Sequence, residues 1–494
     1  MRTPPPLTLL AVLIVALVAF AMLRPIDHDE SQYVAAAVLS AQGVLPYRDY
    51  AYLQGPLQPL LFAPLAWLFG GLAWPGLRIA NALLGVVAVA ASWRAMRVAG
   101  VRAEIAAACA ALFACCDILL FSAGTARNDA LPAAMMALAL VPIVRTERGG
   151  THGEGSRGRA LLIGLLLAGA AAAKVSYALP ALTYGLYALA VRRHRPGWVL
   201  LGALPATALV AGLWWLSPAG AMFGILTFPA AAPAEYYAAT DRAWKLLATT
   251  KAIDLLKFLA LGPALLALGI VAVRRPRRPE LLDWLIVAGL IAAVVPSPIW
   301  RQYLLPILPA LFVRLALLWQ AASPRRALRV ACMMFAVAGL TPSVVALAQA
   351  ANGTATGMHE GAALRTALDN AGASGKVATL SPQFVPATGR PIDPRFATGP
   401  FYFRSRGLLP AQAEASLHLI GRERLDEAFA HAPPAAILVG GEGKWTSGND
   451  SLDALLERWA VAHHWRRVPV ASQRFRLYLP PQAAALSLPS ISPE

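Results

Sequence analysis

Residues 7–30 read LTLLAVLIVALVAFAMLRPIDHDE, and this stretch decides the fold. From Leu7 to Leu23 every side chain but one threonine is apolar, within the length of about 17–25 residues that carries a helix across hydrocarbon. Arg24-Pro25 ends the run, and Asp27-His28-Asp29-Glu30 follows at once. Arg2 precedes the run and Ala19-Phe20-Ala21 has the spacing of a cleavage site, but an apolar run this long reads as an uncleaved anchor rather than a signal peptide. On either reading the charged tetrad emerges on the far side of the membrane.

The rest of the chain repeats the first half of that pattern. Of 494 residues, 58% are hydrophobic and 14% charged, whereas a soluble chain of this length would divide into several domains with charged surfaces. The apolar residues gather in runs near 7–23, 56–71, 77–98, 103–121, 128–144, 160–173, 175–191, 198–217, 252–273, 281–296, 302–320 and 327–349. The formal charge of +17 comes largely from clusters between the runs. They are Arg94/Arg97/Arg102, Arg145/Arg148/Arg157/Arg159, Arg192/Arg193/Arg195, Arg274/Arg275/Arg277/Arg278 and Arg325/Arg326/Arg329. All fall in alternate loops, as cytoplasmic loops do under the positive-inside rule, so topology accounts for the charge and no nucleic-acid partner is expected.

That alternation also tests the run at 56–71. If it crossed the membrane, every basic cluster would lie outside; if it rests in the interface, every cluster lies inside. Gln54, Pro56, Gln58 and Pro59 fit an interfacial helix. The segment 24–76 is therefore read as one long external loop with surface helices near 30–42 and 56–71. About eleven crossings remain, with a cytoplasmic N-terminus and an external C-terminus.

The stretch 160–191 is interrupted by Lys174, which belongs at an outer turn between two short spans, since a charge at mid-membrane is costly. Gly153-Glu154-Gly155-Ser156-Arg157-Gly158 matches a dinucleotide-binding spacing, but without a preceding strand it reads as a flexible loop. Cys109, Cys115, Cys116 and Cys332 lie inside apolar runs, with neither zinc-site spacing nor a disulfide framework. After residue 350 glycine, proline and charge become frequent. Strand-like runs at 376–380, 436–440 and 474–479 alternate with helical candidates near 361–370, 409–430 and 451–463. The fold class is thus a polytopic α-helical membrane protein: a membrane module over 1–350 and a small extracytoplasmic α/β domain over 351–494.

The chemistry concentrates at the ends of spans. Asp27, His28, Asp29 and Glu30 put three carboxylates and an imidazole side by side, which needs water, a cation or a shifted protonation state. A hydrated helix start, with Asp27 or Asp29 as cap and Glu30 in the first turn, is the plain alternative, although capping needs one acid rather than three. Asp129 in Arg127-Asn128-Asp129 also stands at the start of a span, where it could equally be a cap. By the topology above it shares a face with Asp29, Lys174, Arg301 and Tyr303. Carboxylates that accept a proton beside cations that hold a phosphate suit a transfer reaction.

At this point the sequence resembles a family. Asp29-Glu30-Ser31-Gln32-Tyr33 running into 35–43, Gly55-Pro56-Leu57, Arg127-Asn128-Asp129, Ala173-Lys174 and Arg301-Gln302-Tyr303-Leu304-Leu305-Pro306 occur in an order and spacing similar to the C-type glycosyltransferases. The branch resembled is that of the protein O-mannosyltransferases and the lipid A aminoarabinose transferases, over about the first 320 residues. The resemblance implies inverting transfer of a sugar from a polyprenyl-phosphate donor to a hydroxyl of a lipid, polysaccharide or protein acceptor on the outer face of the plasma membrane. By position, Asp29 would be the general base with Glu30 beside it. Asp129 would be a second acid that orients the acceptor or helps to hold a metal. Lys174 and Arg301 would neutralise the donor phosphate, with Tyr303 nearby.

Some features depart from the pattern or stay open. Some relatives carry a Lys just before the proline of the second surface helix, where this chain has Gly55 after Gln54, which weakens any carry-over of a phosphate contact there. Asp29 with His28 is a candidate pair for a divalent metal ion, against an exposed loop role for His28. Glu235, Tyr236 and Tyr237, followed by Asp241-Arg242, could line an acceptor groove or anchor their loop at the membrane interface. His463-His464 has no ligand partner at a recognisable spacing and reads as surface. A secondary transporter and a non-catalytic partner in envelope assembly remain as alternatives, although no internal repeat is visible.

Overall fold

The computed structural model describes residues 6–149, 156–274, 280–322, 324–405 and 407–481. Gly153, Glu154 and Gly155 of the glycine-rich loop, and Arg275, Arg277 and Arg278 of one basic cluster, lie outside the described residues. The helices are α1 (Pro6–Leu23), α2 (Glu30–Ala41), α3 (Leu57–Phe69), α4 (Ala73–Val98), α5 (Ala103–Ala114), α6 (Asp117–Ala123), α7 (Ala130–Arg148), α8 (Arg157–Ala173), α9 (Ala178–Ala190) and α10 (Pro196–Leu216). After them come α11 (Pro218–Met222), α12 (Phe228–Ala239), α13 (Ala248–Ala260), α14 (Ala264–Arg274), α15 (Leu281–Val294), α16 (Leu308–Ala321), α17 (Arg326–Leu347) and α18 (Thr354–Asn370). Among the described residues, five helical stretches are long and apolar enough to cross a membrane, or up to seven if each of two bent pairs counts as one span; Leu7–Leu23, Val175–Ala190 and Leu281–Val294 are shorter apolar helices.

Burial separates the inner helices from the outer ones. In Arg301–Ala321, 78% of the most apolar window is buried, whereas in α17 the share is 17% at a mean hydropathy of 2.1. Trp215 and Val273 are each 85% exposed. Water would penalise an apolar belt of this size and lipid does not, so the architecture is that of a polytopic membrane protein.

Three expectations change in the structure. The run 103–121 is not one straight helix: α5 and α6 meet at 66°, and α13 and α14 meet at 99°. The two breaks face each other, for the Asp117 N–H donates to the Leu261 carbonyl at 3.0 Å. Close backbone approach makes this possible, since a Cβ on Gly339 of α17 would stand 1.9 Å from the Cys115 carbonyl oxygen. Second, α2 is not a surface helix. Tyr33, Val34 and Leu39 pack in one apolar cluster with Trp74 of α4 and with Leu364, Phe384 and Leu438 from beyond residue 350. By contrast α3, broken from α4 at Gly70 (φ 50°), leaves Leu61, Trp67 and Leu68 exposed along one face.

The third change lies in the C-terminal part. Its sheet has β1 (Val377–Ala378), β2 (Ala436–Val439), β3 (Arg466–Val468) and β4 (Arg476–Leu479) in the order β1-β2-β4-β3, with β1 parallel to β2 and the other pairs antiparallel. β2 is buried throughout, as the run Ala-Ile-Leu-Val requires of a central strand. β3 is the strand that the sequence did not reveal, because it is an edge strand whose Arg466 and Arg467 face outward.

Candidate active site

The three acids after α1 divide the work among themselves. Glu30 is 0% exposed and faces Arg78, equally buried, whose Nε and Nη2 donate to its two oxygens at 2.7 and 2.6 Å. Arg78 also donates to the carbonyls of Ala21, Arg24 and Pro25, so the pair ties the end of α1 to α4. Glu30 further accepts from the Ala126 N–H at 2.6 Å and the Asp27 N–H at 3.1 Å. Asp27 caps the turn by accepting the Asp29 N–H at 2.9 Å. Asp29 stands at the N-cap of α2 but makes no capping bond with its side chain. Asp27 and Asp29 are both partly exposed, and of the two only Asp29 makes no bond to the backbone with its side chain.

Asp29 opens on a cavity of about 640 Å³ between the helical bundle and the C-terminal part. The Asp29 Oδ2 atom is held by Arg127 Nη1, and Oδ1 lies 3.1 Å from His28 Nε2. Burial favours a neutral carboxyl, but the Arg127 charge and the His28 contact outweigh it and hold Asp29 well below the usual carboxylate range. Burial likewise opposes charge on His28, yet hydrogen bonds to Asp29 and Glu442 overcome it and hold the imidazole well above its ordinary value. Asp27 goes the other way, raised by burial and then by the neighbouring Asp29 charge.

Of the other residues expected at the site, Lys174, Arg301, Tyr303, Tyr236 and Tyr237 all line this cavity. Lys174 sits in extended backbone where α8 ends, with its ammonium over the Tyr303 ring at 5.4 Å. Gly55 explains the missing lysine before Pro56. A Cβ there would be 2.3 Å from the Ala172 carbonyl oxygen, so the start of α3 packs backbone to backbone on the end of α8. Arg301 lies over the Phe121 ring at 3.8 Å and pairs with the buried Asp117 at 2.8 Å.

Glu30, Asp129 and Glu235 are not among the cavity-lining residues. Asp129 is buried, with Oδ1 on the Lys174 ammonium and Oδ2 3.1 Å from Arg127 Nε. It spaces two cations and does not open toward an acceptor. The half-buried Glu235 belongs to α12, whose next two residues, Tyr236 and Tyr237, reach the cavity.

Sequence reasoning missed the partners Arg78 and Asp117 and gave Arg127 no role, although it is the hub of Asp27, Asp29 and Asp129. It also missed Arg404, which lines the cavity from beyond residue 350 and stacks on Tyr236 at 4.5 Å and Phe401 at 4.8 Å. Among the described residues no group of three or more His, Cys, Asp and Glu side chains is arranged to hold a metal ion. The donors do not fit one: Arg127 occupies the space between Asp27, Asp29 and Asp129, and both His28 nitrogens face carboxylates.

No protein-family model matches the chain, and no curated protein matches it in sequence. Several solved structures match over most of its length, two of them over nearly the whole of both chains. ArnT from Cupriavidus metallidurans bound to undecaprenyl phosphate is similar at a TM-score of 0.64 and 17% identity, covering 99% of this chain and 99% of that one. The apo state of the same protein is similar at 0.61 and 15% identity, covering 96% and 97%. The likeness is one of fold: the chain has the fold that ArnT displays.

Proposed function

We propose that this protein is a membrane glycosyltransferase that moves a sugar from a polyprenyl-phosphate donor to an acceptor hydroxyl, with inversion, on the extracytoplasmic face of the plasma membrane. The observation that carries this reading is the meeting, in one cavity, of a partly exposed ionised Asp29 with Lys174, Arg301 and Tyr303. The whole-length likeness to a fold that holds undecaprenyl phosphate in ArnT supports the choice of donor. The basic clusters in alternate loops support about eleven crossings and the external placement of the part after residue 350.

In this account the anomeric carbon lies between Asp29 and the cations. The acceptor oxygen bonds to that carbon on one side as the bond to the phosphate oxygen breaks on the other, so the configuration inverts. The acceptor proton goes to Asp29, and the electron pair leaves with polyprenyl phosphate, whose charge Arg301 and Lys174 balance. Arg127 and His28 make Asp29 a weak base, which is sufficient here. A hydroxyl becomes strongly acidic once its oxygen has begun to bond to an oxocarbenium-like carbon, so the proton is taken late. Each Asp29 oxygen makes one contact and keeps a second lone pair for the acceptor. Tyr236 and Tyr237 add aromatic surface to the lining, suited to contact with a sugar or acceptor.

The test is incubation of the purified protein in nanodiscs with a panel of radiolabelled polyprenyl-phosphate sugars and a membrane extract as acceptor source. Transfer releases polyprenyl phosphate and labels an acceptor. No cleavage in nanodiscs, with movement of intact donor across the bilayer once the protein is in sealed vesicles, would instead favour a transporter, and inertness in both would favour an assembly partner.

A further inference from the structure

We propose that the C-terminal domain takes part in the transfer site through Glu442, which holds His28 against Asp29 and so fixes the direction in which the Asp29 carboxylate faces the cavity. The inference rests on the role given to Asp29 above, and it makes Glu442 and His28 positioning residues.

The argument begins with the imidazole. His28 Nε2 is 3.1 Å from Asp29 Oδ1, and Nδ1 is 3.3 Å from Glu442 Oε2. A neutral ring has one N–H and would turn a lone pair on one of the two carboxylates; only the imidazolium donates to both. The ring is 20% exposed and its Glu442 partner 0%, so the strut runs from the cavity wall into the protein. The charged groups around it are Asp27 on the preceding residue, Arg127 on the far side of Asp29, and Arg404, which acts on both Asp29 and Glu442.

Glu442 is held in turn. Its carboxylate also accepts from Ser381 Oγ and from the Asn449 N–H, both at 3.4 Å. The loop that follows β2 is anchored by the buried Asp453, whose Oδ2 accepts the Gly440 N–H at 2.7 Å and the Glu442 N–H at 2.8 Å. Ser447, Gly448 and Asn449 of that loop line the cavity themselves. A rigid path thus leads from the central strand through Glu442 and His28 to Asp29. A staple that merely held the domain in place would not need to end on the acid that lines the cavity and makes no bond to the backbone.

The experiment measures kcat and donor KM for the full-length protein, Glu442→Gln, His28→Gln and the double variant in nanodiscs, with the donor that wild type consumes. Each single variant is expected to lower kcat about 10-fold or more with donor KM within about 2-fold, and the double variant to be no worse than the worse single. An unchanged kcat in Glu442→Gln, or two losses that multiply, overturns the proposal. A second readout is independent of turnover: 15N spectra of histidine-labelled protein in lipid at about pH 8, with His28→Gln to assign the signal. Two protonated ring nitrogens on His28 are expected in wild type, and their loss in Glu442→Gln. A neutral His28 in wild type overturns the strut whether or not donor is consumed. An imidazolium without any turnover leaves the strut standing and removes the transfer reading instead.

Discussion

Glu30 and Asp29 are neighbours in sequence, and each binds an arginine, yet the two pairs differ in kind. Glu30 and Arg78 are fully buried, both guanidinium and carboxylate are saturated, and three backbone carbonyls complete the arginine's shell. Asp29 is 24% exposed in its side chain, shares Arg127 with two other acids and keeps lone pairs toward a cavity. A saturated buried pair holds the fold; an unsaturated pair at a cavity wall is available for chemistry. Charge and sequence position alone do not distinguish them.

The largest effect is expected from breaking the closed pair. Glu30→Ala leaves Arg78 buried without its counter-charge, at a cost of about 3–5 kcal/mol. Size-exclusion chromatography should then show little folded protein, whereas Asp29→Asn should remain monodisperse. A well-folded, fully active Glu30→Ala would erase the contrast. Next, Arg301→Ala removes one cation from the cavity and leaves Asp117 alone, and should weaken binding of polyprenyl phosphate about 10-fold or more. Titration by intrinsic fluorescence would show it, and unaltered affinity would place the phosphate elsewhere.

The smallest effect is a pH dependence of stability. Burial, with the Glu442 charge added, pushes Asp453 up to about 7. A raised carboxyl favours folding fully below its unfolded value of about 3.9, and this contribution is lost as pH rises through about 7. The raised His28 acts in the same sense, with its contribution complete below about 6.5 and lost at alkaline pH. The melting temperature should therefore fall between about pH 5 and pH 8. Asp453→Asn, which keeps an acceptor for both N–H groups, should flatten that slope, and an unchanged slope would assign it to other groups.

Much of this site was legible because polar side chains at the ends of apolar runs must have a reason to be there. Asp29, Lys174 and Arg301 stood out for that reason and meet at one cavity. What escaped were long-range pairings. Nothing near Arg78 in sequence announces Glu30, and Arg404 and Glu442 lie hundreds of residues from the loop they reach. The break at Cys115-Cys116 escaped for a related reason, since no glycine or proline marks it and the helices face one another there. The break at Leu261-Gly262 is written locally, in Gly262-Pro263 with φ 134° at the glycine, inside a run read as one helix. The Arg466–Val468 strand carries too little apolar pattern to be seen before its partner is known.

The most direct test of the account is donor turnover by wild type and Asp29→Asn in the same nanodiscs, with polyprenyl-phosphate binding measured in parallel. The account predicts turnover lowered about 100-fold or more in the variant, with binding within a few-fold of wild type, because the asparagine keeps the shape and loses only the proton acceptor. Equal turnover by both proteins would contradict the assignment of Asp29 as the base.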